Sequence, residues 1–408
     1  DLIDKNVRKA GGHVHFADNA EQANRIVLDI AKQHDVKTVI KSKSMVSEEI
    51  EVNHALEAAG IEAVETDLGE YIIQLAHETP FHIIAPAVHK SRKDISDLFQ
   101  KWLKTAPTED VEKLCTIARD ALREKFRKAD MGISGANFVV AETGTVVLVT
   151  NEGNGRMTTS APKVHVAITG MEKVLPAMED LALFLRLLPR SATGQRITSY
   201  NTFVNGPRAA ADEDGPEEFH LVLVDSGRLG MLRDETMREA LNCIRCGACL
   251  NHCPVYRKIG GHAYGWVYSG PIGAIVTPSL VGSKEARDLP YASTLCGACR
   301  DVCPVKIDIP RLLLHQRKRV AEGDAETPGS STWPERWFIQ RWYNAVKTRK
   351  ALEGKSRLGR LLQKPLARRG VIHRLPMPVV SGWTKDRDFP AIASKTFRER
   401  WRDQLSKE

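Results

Sequence analysis

LNCIRCGACLNHCPVY, from Leu241 to Tyr256, spaces four cysteines by two, two and three residues and follows the last with proline. STLCGACRDVCPVK, from Ser293 to Lys306, echoes it with three cysteines and the same trailing proline. Seven of the eight cysteines therefore sit in two short clusters, and gaps this small read as metal ligation rather than as a disulfide framework. The eighth, Cys115, lies in VEKLCTIARDALREKF, where it shares a helical face with Val111, Leu114, Ala118 and Leu122. It reads as a small core hydrophobe with no redox task.

The order Cys243, Cys246, Cys249, Cys253, Pro254 is the ligand run of bacterial-type ferredoxins. Structural zinc sites more commonly use two separated C-x2-C pairs, so the spacing favours iron and sulfide over zinc. Gly247 and Gly297 permit the unusual φ values that a loop round a cubane needs, with backbone N–H groups turned toward the sulfurs. In two-cluster ferredoxins the fourth cysteine of each run ligates the other cluster. By that rule Cys243, Cys246, Cys249 and Cys303 hold one 4Fe-4S cluster, while Cys253, Cys296 and Cys299 hold the second, and the two halves interlock. Ser293 stands where the second run would have its leading cysteine. Three outcomes stay open there: a 4Fe-4S cluster completed by Ser293 or an external ligand, a cluster with one open iron, or a 3Fe-4S centre. Unequal ligation implies unequal potentials, which suits a relay. His252, inside the first run, is expected to tune or shield a cluster, since thiolates already fill the pattern.

Upstream, helix and strand patterns take turns. NAEQANRIVLDIAKQHD (19–35) reads as a helix, VKTVIKS (36–42) as a strand, SEEIEVNHALEAAG (47–60) as a helix ending at glycine, and IEAVETD (61–67) as a strand. This alternation predicts an α/β domain, a sheet with flanking helices. FHIIAPAV (81–88) adds a buried strand. FVVA and TVVLVT predict two strands meeting at Glu142, Thr143 and Gly144, KVHVAITG a half-buried strand, and EEFHLVLVD another. MLRDETMREALNC (231–243) reads as a helix leading into the first cysteine run. The expected organisation is an α/β domain over 1–235, a mainly helical double iron-sulfur domain over 236–325, and a basic C-terminal extension over 326–408 reached through the turn-rich AEGDAETPGSS.

The chain has 408 residues and a formal charge of +8, but from Ser331 onward 19 Lys and Arg face 7 Asp and Glu, so the basic character belongs to the tail. The tail also holds five of the seven tryptophans. In WPERWFIQRWYNAVKTRK, Trp337, Trp342, Tyr343 and Val346 are placed near one helical face, a stripe that can dock a partner, touch an anionic membrane surface or pack on its own protein. No nucleic-acid motif accompanies the charge, so nucleic acid is not an expected partner. No apolar run reaches the length of a membrane span, and DLIDKNVRKAGG lacks the core of a secretory signal. A cytoplasmic protein is expected, with membrane contact at most peripheral at the inner surface. The chain opens on Asp1 and not Met, so a preceding segment is expected.

Two loops carry candidate ligand contacts. In IKSKSMVSEE (40–49), Lys41, Ser42 and Lys43 follow a strand and open a helix, where they can grip an anion, although Ser47 equally suits a plain helix cap. In NEGNGRM (151–157), Asn154 between two glycines and Arg156 suit a carboxylate or phosphate, against the simpler reading of a tight turn with a surface arginine. Glu142 occupies the neighbouring turn. No base, nucleophile and orienting group can be assembled, so no catalytic residue is assigned. His13 and His15 form the one close histidine pair, in an alternating strand, and lack the further ligands a metal needs.

Taken together, KSKSMVSEE, ETDLGEY, VTNEGNGR, DGPEEFHLVLVDSGR and the cysteine runs with CPVY and CPVKI closely resemble the lactate utilization protein B family over nearly the whole chain. The resemblance implies an N-terminal LUD domain, related in fold to an isomerase and CoA-transferase group, fused to a double 4Fe-4S ferredoxin domain. It implies a non-catalytic electron-transfer subunit in the oxidation of L-lactate to pyruvate, working with subunits resembling lactate utilization proteins A and C and passing electrons to a downstream acceptor. The family's ligands fall on Cys243, Cys246, Cys249, Cys253, Cys296, Cys299 and Cys303. Two alternatives remain: an enzyme whose LUD domain acts on an anionic metabolite with the clusters attached, and a redox-sensing regulator.

Overall fold

A computed structural model describes residues 1–323, 329, 331–375 and 381–405. Ten strands form before the cysteine runs: β1 (His13–Ala17), β2 (Thr38–Lys41), β3 (Glu62–Glu65), β4 (Met131–Ser134), β5 (Phe138–Val140), β6 (Thr145–Thr150), β7 (Val164–Gly170), β8 (Val174–Leu175), β9 (Tyr200–Val204) and β10 (Glu218–Val224). Six of them make a wholly parallel sheet in the order β1-β10-β7-β4-β2-β3. The chain steps outward from β2 to β3, then returns through β4, β7 and β10, so its order reverses between β2 and β4. In open α/β sheets the crevice beyond the strand C-termini at such a reversal is where ligands bind. All seven residues of β7 are buried, in place of the expected alternation, because a central parallel strand is covered on both faces.

The other four strands form a smaller sheet, β8-β5-β6-β9. β5 and β6 are the expected antiparallel pair, and Gly144 takes φ +75° at their turn. A Cβ there would lie 2.8 Å from the Val7 backbone nitrogen, so glycine serves both the turn and the close approach.

Three sequence expectations fail for identifiable reasons. The helix expected over 47–60 is split into Met45–Glu49 and Val52–Ala58 by Glu51 at φ +54°. Its cap is Ser44, which accepts the Ser47 N–H, while the Ser47 hydroxyl is buried against Lys41. The first piece ends just after Glu48 and Glu49, which pair with the buried cations Lys41 and Arg228. The strand expected at 81–88 is a loop: Ile83 joins the core of the cysteine segment and the Phe81 carbonyl accepts the Tyr256 hydroxyl at 2.9 Å. The helix expected over 231–243 is interrupted because Asp234 Oδ1 accepts the N–H groups of Thr236 and Met237, leaving a helix Arg228–Arg233 and a 3-10 turn Met237–Asn242.

Short helices carry the cysteine segment: Ala248–His252, Tyr256–Ile259, Gly270–Val281, Ala298–Asp301 and Ile309–Glu322. They close over a core of Tyr264, Ile272, Leu312 and Leu313 that also includes four of the cysteines. Cys115 lies in the expected helix, Val111–Lys128, but it is only partly buried and Val111 is exposed; Leu114, Ala118, Leu122 and Phe126 make the inward face.

The chain divides into compact units Asp1–Ser330 and Ser331–Glu408. Most of the expected linker AEGDAETPGSS lies outside the described residues. The second unit holds helices Trp333–Val346 and Arg349–Leu362 and a short antiparallel pair, Val371–Ile372 with Phe389–Pro390. In its first helix Trp333, Trp337, Phe338, Trp342 and Tyr343 are all exposed and, at 100° per residue, point in several directions instead of forming one stripe. Among the described residues no helix is long and apolar enough to cross a membrane.

Candidate metal centres and an adjoining cavity

The two cysteine loops repeat each other in backbone conformation as well as in sequence. Arg245 and Gly247 flank Cys246 with φ +60° and +72°, and Leu295 and Gly297 flank Cys296 with φ +55° and +87°. Left-handed residues on both sides of a cysteine wrap the chain round its sulfur, and each glycine then opens a short helix at Ala248 or Ala298. The helix N-termini so placed present N–H groups to sulfur.

Three of the seven clustered sulfurs accept a backbone N–H. Arg245 donates to Cys243 Sγ at 3.4 Å, Tyr256 to Cys253 Sγ at 3.5 Å and Ile307 to Cys303 Sγ at 3.4 Å. Electrostatically, the backbone N–H groups of Ala248, Ile272, Ala298 and Arg300 favour the thiolate forms of Cys246, Cys249, Cys296 and Cys299. At the position of the missing cysteine the Ser293 hydroxyl accepts the Leu295 N–H at 3.1 Å, the counterpart of the bond from Arg245 to Cys243.

The sulfurs of the two runs act on one another: Cys249 feels Cys299 of the second run as well as Cys243 and Cys246. Burial pushes the Cys246 thiol up to about 11, with Cys243 and Cys303 pushing the same way against the Ala248 N–H. Burial likewise pushes Cys299 up to about 11, and its neighbours are Cys253 and Cys296. Thiols crowded in this way do not all ionise unaided, whereas soft, positively charged iron converts them to thiolate ligands. Soft donors, N–H groups bonded to Cys243, Cys253 and Cys303, and a largely buried setting fit iron-sulfur clusters.

A charged network joins these loops to the parallel sheet. Arg228, 2% exposed, bonds Glu49 at 2.7 Å and Glu172 at 2.6 Å. Tyr268 donates its hydroxyl to Glu49 at 2.8 Å, and the Arg245 guanidinium lies 4.5 Å from the Tyr268 ring centre and 3.5 Å from Glu172. Glu172 is held down to about 2: burial opposes its charge, but Arg228, Lys173 and Arg245 outweigh burial. Beside this network, a cavity of about 370 Å³ opens at the C-terminal ends of β2 and β4. Ser42 and Lys43 line one side, Gly135, Ala136 and Asn137 another, and Lys173, Ile244 and Arg245 close it toward the first cysteine loop. Asp67 Oδ1 caps Gly69 and Glu70, Glu152 Oε2 takes the Leu68 N–H, and Glu172 holds arginines. Among the described residues, Ser42 Oγ and Arg245 Nη1 are buried without a hydrogen-bond partner.

Residues 1–224 match the family model of the LUD domain, and residues 239–307 match that of the 4Fe-4S dicluster domain. Over 401 residues the chain is 46% identical to lactate utilization protein B of Bacillus licheniformis, spanning 98% of this chain and 83% of that protein. It is 46% identical over 398 residues to the protein of that name from Shouchella clausii, spanning 97% and 82% of the two chains. To that from Bacillus subtilis strain 168 it is 45% identical over 405 residues, spanning 99% and 83%. The chain belongs to the lactate utilization protein B family.

In this chain the residues singled out from sequence separate in space. Ser42, Lys43 and Asn154 line the cavity. Lys43 Nζ donates to the Ile84 carbonyl at 2.5 Å, and burial lowers its pKa. Lys41 points elsewhere, 1% exposed and paired with Glu48 and, at 2.7 Å, Glu65; burial works against its charge, but the two carboxylates hold it above the usual lysine range. Glu142 accepts the Met178 N–H at 2.9 Å and so caps the helix Met178–Thr193. Arg156 is exposed on the helix Asn154–Ser160 and is not among the lining residues. Sequence reasoning missed Lys173, Glu172, Arg228, Arg245 and Tyr268. Only Arg245, between two cysteines of the run, carried a local signal.

Proposed function

We propose that this protein is an iron-sulfur electron-transfer subunit in the oxidation of L-lactate to pyruvate. The observation that carries this reading is the pair of cysteine loops with matching left-handed backbone, which bring seven largely buried sulfurs near one another. Cys243, Cys246, Cys249 and Cys303 would hold a 4Fe-4S cluster; Cys253, Cys296 and Cys299 would hold a second, 4Fe-4S or 3Fe-4S, beside Ser293. When bound, such clusters supply one-electron transfer at iron, from a partner subunit to a downstream acceptor. The protein's part is to fix the sulfurs, donate N–H groups to them and set the charge around each group. The partners are subunits resembling lactate utilization proteins A and C, in the cytoplasm or at the inner membrane surface. Segments 1–235, 236–325 and 326–408 would act as LUD domain, cluster carrier and basic docking extension. Iron and sulfide quantitation with paramagnetic resonance of anaerobically purified protein tests the reading: two distinct iron-sulfur centres support it, and folded protein that holds no iron, with zinc or nothing at the cysteines, defeats it. Lactate turnover should appear only when the partner subunits are added.

A second reading is favoured by the cavity. Ser42, Lys43 and Asn154 with Lys173 and Arg245 suit a small polar molecule bearing carboxylate or carbonyl oxygens, set beside Asp67 and Glu152. Of the other residues considered from sequence, Lys41 and Glu142 serve the fold, and Arg156 is free at the surface for a partner or ligand. A LUD domain that binds an anionic metabolite beside the first cysteine group is compatible with the relay.

A further inference from the structure

The cavity lies at the C-terminal end of the parallel sheet; a different cluster lies at the other end. There β1, β10 and the residue capping the helix Ala20–Gln33 bring His13, His15, His34, Glu218 and His220 together. Glu218 and His220 are two apart on one strand, so their side chains leave the same face. His34 Nε2 lies 3.2 Å from Glu218 Oε2, and His220 Nε2 lies 3.4 Å from that same oxygen. The ligand atoms of the three residues all fall within 4.8 Å of one another. Two ligands bound to tetrahedral zinc at its usual distances are roughly 3.4 Å apart.

The second observation is His220 itself. It is 5% exposed, yet among the described residues its Nε2 has no hydrogen-bond partner, since the Glu218 oxygen stands at ion-pair distance without hydrogen-bond geometry. A buried ring nitrogen left unpaired needs an explanation. The opposite nitrogen, Nδ1, is 3.1 Å from His15 Nε2, and the His13 ring stacks on His220 at 4.9 Å. A metal-binding histidine is characteristically held in this way through its other nitrogen, which fixes tautomer and ring orientation.

We propose that His34, Glu218 and His220 form a divalent-metal site, best suited to zinc, with a fourth position open to water. The nitrogen and oxygen donors are of the type zinc accepts and lack the sulfur of the cysteine groups. Bound there, the ion would tie the start of β10 to the end of the helix Ala20–Gln33, a structural clamp separate from electron transfer.

The test uses full-length, anaerobically purified protein with its clusters intact. Elemental analysis should find about one zinc per chain beside the iron, and the double variant H34Q/H220Q should lose the zinc while keeping iron content and visible spectrum. Mild chelation that spares the iron should lower the melting temperature of the native protein, and added zinc chloride should restore it. If H220Q fails to fold, H34Q and E218Q, altered at partly exposed positions, should each weaken zinc binding about tenfold or more. Zinc retained by the folded variants, or native protein that neither contains zinc nor responds to added zinc, overturns the proposal.

Discussion

Lys173 Nζ donates a hydrogen bond to the Cys243 carbonyl oxygen at 3.0 Å, setting a buried amine from the sheet domain against the first residue of the cysteine run. Local charge is one of the levers that set a cluster's potential. In the holoprotein, K173M should lower the reduction potential of the centre held by Cys243 and leave the other nearly unchanged. A redox titration followed by paramagnetic resonance resolves the two; equal shifts in both would point to a general structural change instead.

Arg228 is the hub between Glu49 and Glu172, both themselves buried. R228M leaves two carboxylates without their main cation, and breaking a buried pair from one side costs about 3–5 kcal/mol. A large fall in melting temperature is expected. A variant as stable as the native protein would show that water reaches this network and replaces the arginine.

Gly247 and Gly297 share a left-handed backbone but not a neighbourhood. A Cβ on Gly247 would meet His82 Cε1 and Ile84 Cγ1, each at 3.1 Å, whereas one on Gly297 would meet nothing within 4 Å. G297A should cost about 1 kcal/mol from backbone strain alone. G247A should cost more and lose more iron on dilution. Equal losses would mean that the loop 81–88 yields to the added methyl.

The Glu70 carboxyl is pushed up to about 8, by burial first and then by the charges of Glu65 and Glu48. Its folded value lies above its unfolded one, so between about pH 4.5 and 8 the native state binds more protons than the unfolded state. Stability from this group is therefore present at low pH and falls as pH rises through that window. E70Q resembles the protonated acid and removes the dependence, so its stability advantage over native protein should grow by about 2 kcal/mol from pH 6 to pH 8. Unfolding at the two pH values measures it, and a constant difference would show that Glu70 does not titrate there.

The cysteine loops were legible because their information is local. Four cysteines and a glycine within eleven residues imply both the ligand spacing and the left-handed turn that aims N–H groups at sulfur, and the same holds for the shorter echo. The helix Ala20–Gln33 and strands β2, β3 and β10 were equally readable from periodicity. FHIIAPAV was apolar for a reason that periodicity does not carry: it packs Ile83 into the cysteine segment as a loop. The breaks at Glu51 and Asp234 were hidden because each depends on a side chain's partner, a buried cation in one case and the backbone of the next turn in the other.

By itself, then, the order of residues determined that seven cysteines would gather in two short runs and that an α/β domain would precede them, since both follow from spacings of a few residues. Only the tertiary structure decided which charges meet. Glu49, Glu172, Arg228, Arg245 and Tyr268 are far apart along the chain, as are His34 and His220. Their encounters depend on the order of strands in the sheet and on the burial that makes an unpaired charge costly, and neither is written in any single stretch.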